Sequence, residues 1–259
     1  MPMIFQSLFS LCNVYEWLTG VGLVVLGIIT GFIGTNTGGS VFLTVPVMIW
    51  LGIPPQSSIA TARLASVGTM VAGLRHFHNQ GKVDYMLAFP AAALGLVGAL
   101  GGASLLLQID PALLHKIIGG LTLLLVALSL IKKPRSDETP PSGIRRLFGY
   151  MLFIPVGMIG GLLGGQAKLS TYLFIIFFRK TISESVGTRK VGGLVLSVGS
   201  LIVFGVSGII NWQYGCCLII GTLIGANAGA KFALKKGDQW VESAFNIVVV
   251  MLALRMLFW

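Results

Sequence analysis

The feature that most constrains this chain is a glycine-rich stretch that occurs twice at one offset. Gly31-Phe-Ile-Gly34-Thr-Asn-Thr-Gly38-Gly39-Ser40 is followed by Gly157-Met-Ile-Gly160-Gly-Leu-Leu-Gly164-Gly165-Gln166, and the four matched glycines each lie 126 residues apart. Each copy interrupts an apolar run with glycines and polar side chains, where an unbroken membrane helix would carry Leu or Val. Backbone N–H and C=O groups freed by such a break cannot face lipid, so they are buried in protein or line a polar cavity. Interrupted apolar segments at corresponding places in two halves of a chain point to a transporter's binding site.

Composition sets the class. Of 259 residues, 55% are hydrophobic and 10% are charged, whereas soluble domains carry about 25% charged residues. Apolar runs near the roughly 20 residues needed to span a bilayer recur along the chain. The chain reads as an all-α polytopic membrane protein in one integrated membrane domain. It divides into a first repeat (1–131), a cytoplasmic linker (132–146) and a second repeat (147–259). The net charge of +10 does not indicate nucleic acid, because the basic residues sit mostly in short loops, as the positive-inside rule requires. The stretch Met1 to Ser7 has no basic region and no cleavage site, so a removable signal peptide is not expected. Cys12, Cys216 and Cys217 offer neither a disulfide framework nor metal-ligand spacing, and no cofactor is expected.

The apolar runs give eight to ten helical segments, about five per repeat. In the first half they cover 17–34, 41–51, 59–75 (capped by Ser57 or Ser58), 85–107, and Asp110-Pro111 to 131. In the second they cover 147–163, 167–178, 184–206, 213–230 and 240–258. The runs 41–51 and 167–178 are too short to cross about 30 Å of hydrocarbon at about 1.5 Å per residue, so each is a half-helix or a strongly tilted element. Gly95, Gly98 and Gly102 form a small-residue stripe suited to close helix approach. The repeat continues beyond the glycines. Ser57, Arg63 and Gly73 match Ser183, Arg189 and Gly199 at the same offset. After one inserted residue, Gly81 to Tyr85 matches Gly208 to Trp212, and Gly98 and Gly102 match Gly225 and Gly229. The loop charges alternate in opposite senses: 52–58 neutral, 75–84 basic and 103–111 without Lys or Arg, against 179–180 basic, 206–212 neutral and 231–236 basic. The repeats are therefore predicted to be inverted, with the linker cytoplasmic and both termini outside; Arg255 is one charge against this.

If the half-helices start at the breaks, their N-termini point into the membrane interior, and free N–H groups with the positive dipole end make an anion site there. Thr35, Asn36, Thr37, Ser40 and Gln166 add hydrogen-bonding groups; the alternative is that the glycines serve packing only. Arg63, Lys168, Arg189 and Lys190 lie within spans and Glu184 is the one nearby acid, so the charge favours an anionic ligand. Arg189 and Lys190 have a second reading, in which they reach the cytoplasmic interface with Arg179 and Lys180. His76, His78 and His115 lie near helix ends and read as interface residues. No nucleophile–base pair, paired carboxylates, phosphate-binding loop or metal cluster appears, so neither an enzyme nor an ATP-driven pump is expected.

The glycine cluster, followed by Phe42-Leu-Thr-Val45-Pro46, Ala60-Thr61 and Gly81-Lys-Val-Asp84-Tyr85, resembles the TauE/SafE sulfite exporter family over nearly the whole chain. Gly187-Thr188 echoes Ala60-Thr61 in the second copy. The chain departs from the family's GxGGG at Gly38-Gly39-Ser40-Val41 and at Gly164-Gly165-Gln166-Ala167. The resemblance implies a multi-pass protein of the bacterial inner membrane that exports sulfite, a sulfonate or a related organic anion. The alternatives are import of a carboxylate or other oxyanion, or a non-transport scaffold role. Taken with the residues above, the expected substrate-binding set is Asn36, Thr37, Gly38, Gly39, Ser40, Thr61, Arg63, Gly164, Gly165, Gln166, Lys168, Thr188 and Arg189. The expected partners are a small anion and membrane lipid, with no nucleic acid. A proton or sodium coupling ion is left unassigned, and a homo-oligomer is an open assembly.

Overall fold

The computed structural model describes residues 2–130 and 142–236; the linker stretch 131–141 and the expected last run, 240–258, lie outside the described residues. The described residues form ten helices and no strand: α1 (Pro2–Thr37), α2 (Ser40–Trp50), α3 (Pro55–Asn79), α4 (Tyr85–Leu106), α5 (Pro111–Leu130), α6 (Gly143–Met151), α7 (Phe153–Leu163), α8 (Ala167–Phe178), α9 (Ile182–Val206) and α10 (Trp212–Lys236). Among the described residues, five stretches are long and apolar enough to cross a membrane: Trp17–Thr35, Tyr85–Leu106, Gly143–Leu163, Ile182–Val206 and Trp212–Phe232. The two short runs are separate helices of 11 and 12 residues, α2 and α8, and each begins at a glycine break.

Three boundaries differ from the sequence reading. Helix α3 starts earlier, with Pro54 as N-cap and Pro55 in its first turn, where a missing N–H costs no hydrogen bond. Ser58 does not cap it; its Oγ donates to the Ile53 carbonyl at 3.2 Å. The run 147–163 is divided at Leu152 into α6 and α7. Pro155 has no N–H to offer the Met151 carbonyl, and its ring crowds that turn. Finally, α1 begins at Pro2, well before the apolar run.

The helices are held together by backbone touching backbone. A Cβ added to Gly98 or Gly102 of α4 would collide with the carbonyls of Ile154 and Met158 in α7. A Cβ on Gly225 or Gly229 of α10 would collide in the same way with Ile28 and Phe32 in α1. Subtracting 127 from the α10 residues and adding 126 to the α1 residues converts the second set into the first. Gly157 of α7 meets Gly95, as Gly31 of α1 meets Thr222. Each repeat's fourth helix thus packs on the other repeat's first helix, through the small-residue stripe seen in the sequence.

The order of contacts gives the direction of each helix. Along α1 and α10 the touching residues rise together (Val24 with Gly221, Ile28 with Gly225, Phe32 with Gly229), as they do along α3 and α10 (Leu64 with Gly215, Gly68 with Ile219). Between α3 and α9 they run oppositely: Met70 lies at Gly193, Gly73 at Lys190 and Phe77 at Gly187.

Two loop contacts close the ends. The Asp84 N–H donates to Thr188 Oγ1 at 3.0 Å, and the Asn211 N–H donates to Thr61 Oγ1 at 3.0 Å. One end gathers charge: Lys180 pairs with Asp84 at 2.7 Å, Lys82 lies against Gly187, and Arg145 Nη2 donates to the Ile176 carbonyl at 2.7 Å. At the other end Gln56 Nε2 donates to the Ile109 carbonyl at 3.1 Å, and the connecting segments 51–54, 107–110 and 207–211 carry no Lys or Arg. Lys116, exposed early in α5, is the exception.

Partial burial would raise the Asp84 carboxyl, but the hydrogen bond from Lys180, the backbone N–H of Leu87 and the Lys180 charge hold it below the usual carboxylate value. A carboxyl lowered by folding stabilises the fold above its unfolded pKa, and that contribution is lost as pH falls through the folded value. Asp84→Asn retains an N-cap and removes the ion pair; because the pair is partly exposed, the expected loss is about 0.2–1 kcal/mol. Thermal melts of wild type and Asp84→Asn should differ between pH 5 and pH 8 and converge as pH drops below about 4.

Candidate functional site at the paired glycine breaks

The two breaks meet. A Cβ on Gly38 would collide with Ala167 Cβ at the start of α8, while one on Gly164 would lie 3.0 Å from Val41 Cγ2 at the start of α2. Ala167 and Val41 are themselves 126 residues apart. Inside each break the chain folds back on itself: a Cβ on Gly34 would come 2.5 Å from Ser40 Cβ, and one on Gly160 would come 2.8 Å from Gln166 Cδ. The turns need positive φ, which Gly38 (+73°), Gly164 (+83°) and Gly165 (+74°) supply.

Beside the second break lies a narrow cavity of about 20 Å³, lined by Gln166, Ser170 and Arg189 among apolar and glycine residues that include Met70, Phe153, Gly157, Phe174, Gly193 and Leu196. That is room for one water. The three polar residues are all buried, with Arg189 4% exposed, so the arginine does not reach the interface. Its guanidinium nitrogens lie against the first break, since a Cβ on Gly38 would sit 3.3 Å from both Nη atoms. Arg189 therefore touches both copies of the motif.

The other buried cations lie on helix ends. Arg63 Nη2 donates to the carbonyl of Gly160 and, at 2.9 Å, to that of Gly161, in the last turn of α7. Lys190 Nζ donates to the carbonyl of Thr35 at 2.5 Å and to its Oγ1 at 3.3 Å, in the last turn of α1. Lys190 is 0% exposed, so the interfacial reading does not hold for it either. These contacts also correct the register. Arg63 corresponds to Lys190, not to Arg189, because the inserted residue comes before α9 rather than after it: α3 and α9 begin 127 residues apart, at Pro55 and Ile182, and Thr61 and Thr188 keep that offset. Arg189 then corresponds to Ala62, so the first repeat carries no cation at the equivalent position.

The remaining expected site residues are placed as follows. Ser40 and Gly39 are buried at the start of α2, and Gly165 is buried against Phe42. Lys168 is half-buried in the first turn of α8 and does not line the cavity. Thr61 and Thr188 are fully buried and accept the two loop hydrogen bonds described above. The side chains of Asn36 and Thr37 lie outside the described residues. Ser170 was missed; a signal existed, since it lies four residues after Gln166 on the same face of α8. Among the described residues there is no group of His, Cys, Asp and Glu able to hold a metal.

The family model for the sulfite exporter TauE/SafE matches residues 23–256. The chain belongs to the TauE/SafE family. Relatives of this TauE/SafE chain include the probable membrane transporter protein ORF9 of a Sinorhizobium species, 27% identical with 91% of each chain covered. Another is the probable membrane transporter protein YfcA of Escherichia coli K12, 25% identical with 98% of this chain and 94% of the relative covered. A third is YdhB of Bacillus subtilis, also called a probable membrane transporter protein, 27% identical with 90% and 97% covered. No solved structure matches. The protein is a multi-pass membrane transporter and not an enzyme.

Gly164 has φ 83° and ψ −165°, a region open essentially to glycine alone. Gly164→Ala should lower stability by about 1–3 kcal/mol and reduce transport. Gly120→Ala, where nothing lies within 4 Å, should be neutral or gain up to about 1 kcal/mol. Detergent melts of the two variants against wild type check this.

Proposed function

We propose that this TauE/SafE protein is a secondary transporter of a small anion (sulfite, a sulfonate or a related organic anion) and that the anion binds where the two glycine breaks meet. The observation that carries the reading is Arg189, a buried guanidinium lining a cavity with Gln166 and Ser170 while lying against Gly38 of the other break. No carboxylate lines that cavity, and α8 starts at it, so its N-terminal N–H groups add to the positive potential. Gln166 and Ser170 would orient the anion's oxygens; Gly38, Gly39, Ser40, Gly164 and Gly165 lie at the adjoining breaks and would join the walls as the cavity widens. Asn36 and Thr37 belong to the same proposed site by sequence. A sulfur oxyanion is larger than one water, so the narrow cavity must widen for it to enter.

The proposed mechanism is alternating access between two inverted repeats. The opposite run of α3 and α9, and the gathering of basic loops at one end, support that orientation, with the basic end and the linker on the cytoplasmic side of the inner membrane. An inside-negative potential favours anion efflux by about 2.3 kcal/mol per charge per 100 mV, which supports export.

Arg189→Met tests the site. Purified wild type should be stabilised against heat by at least one anion of a panel containing sulfite, methanesulfonate, sulfoacetate, acetate and phosphate. Loss of a charge-assisted contact worth about 1.5–3 kcal/mol should weaken that anion roughly 10- to 150-fold in the variant. An unchanged affinity in Arg189→Met would remove Arg189 from the site, and no response to any anion would overturn the substrate class.

A further inference from the structure

We propose that Arg63 and Lys190 are a reciprocal pair of positioning residues, each holding the glycine break of the opposite repeat, and that neither is a ligand of the transported anion. Arg63 stands on α3 and binds the end of α7; Lys190 stands on α9 and binds the end of α1. The two bonds are one bond repeated. Lys190 is Arg63 plus 127, and Thr35 is Gly161 minus 126, the same offsets that relate the glycine contacts and the loop contacts to Thr61 and Thr188.

The chemistry explains why a cation is needed. The last carbonyls of a helix have no partner within it, and the end carries partial negative charge. At a break inside a membrane protein there is no lipid group to satisfy them. A buried ammonium or guanidinium answers both needs at once. Room is made for it: a Cβ on Gly73 would lie 2.7 Å from Lys190 Nζ and 3.0 Å from Thr35 Oγ1. Arg63 Nη2 and Lys190 Nζ are directed to helix ends, and Arg189 is the cation that lines the cavity. Either cation should serve at either place, because the repeats use Arg in one and Lys in the other for the same carbonyl. A methionine of similar length fills the space but donates nothing.

The transport arm of the test rests on the anion-transport reading; the exchange arm does not. Arg63→Met, Lys190→Met, Arg63→Lys and Lys190→Arg would be made in the full chain and placed in lipid nanodiscs. Amide hydrogen exchange would be followed in peptides covering 31–39 and 157–165. Arg63→Met should speed exchange at 157–165 by about tenfold and leave 31–39 within about twofold, Lys190→Met should do the reverse, and the Lys and Arg variants should resemble wild type. In vesicles, with sulfite and methanesulfonate as probes, the Met variants should lose about tenfold in turnover with KM within about threefold, whereas Arg189→Met should raise KM. Should a Met variant not insert, Arg63→Gln or Lys190→Gln, which keeps a neutral donor, should show a smaller change at the same peptide.

Equal loosening of both breaks, wild-type exchange in the Met variants, or a KM rise matching that of Arg189→Met would each overturn the pairing. If neither probe is carried by wild type, the anion-transport reading falls, while the exchange pattern still decides the pairing.

Discussion

A carbonyl at the end of a helix inside a bilayer has no water to bond, and this obligation organises the centre of the molecule. Both halves break a helix at the same place, and both leave last-turn carbonyls there that need a further partner, although the Gly160 carbonyl still accepts from the Gly164 N–H at 2.9 Å. The structure answers with a buried cation carried by the third helix of the other half: Arg63 at Gly160 and Gly161, Lys190 at Thr35. The same turn leaves the next helix free to begin beside the break, which places the start of α8 and Arg189 at one cavity. Satisfying the break and forming the cavity that Arg189 lines are thus two results of one geometry.

The second constraint is packing without a hydrophobic driving force. Between membrane helices the gain comes from close van der Waals contact, so backbones must approach closely. Glycines at four-residue spacing achieve this on α4 against α7 and on α10 against α1, where the carbonyls of the facing helix occupy the space that a Cβ would need. Many of the described glycines are therefore fixed by neighbours rather than by turns, and only a minority of them have positive φ.

Much of this was legible in the sequence because the signals were periodic. The repeat offset located both breaks, hydropathy located the spans and half-helices, and the stripe at Gly95, Gly98 and Gly102 foretold a close contact. The failures came where a local choice depended on three-dimensional context. A one-residue insertion can be absorbed anywhere between two matched motifs, so identity of residue type paired Arg63 with Arg189 while hydrogen bonding pairs it with Lys190. A cation near a helix start can reach an interface or turn inward, and only the position of the Thr35 carbonyl decides this for Lys190. Pro155 was visible, but an apolar run continues through it, so the division at Leu152 had no hydropathy signal. Ser170 lies one turn after Gln166, but only the fold shows that this face of α8 lines the cavity.

The exchange of fourth helices has a mechanical consequence. By sequence the molecule divides at the linker, but by contact α10 belongs with α1 and α3, and α4 belongs with α7 and α9. Any rocking in the proposed transport cycle would have to move these swapped assemblies, which are joined where α3 crosses α9. Arg63 and Lys190 both bridge that joint. The arrangement is that of a domain-swapped dimer fused into one chain, in which the fourth helix of each half completes the packing of the other.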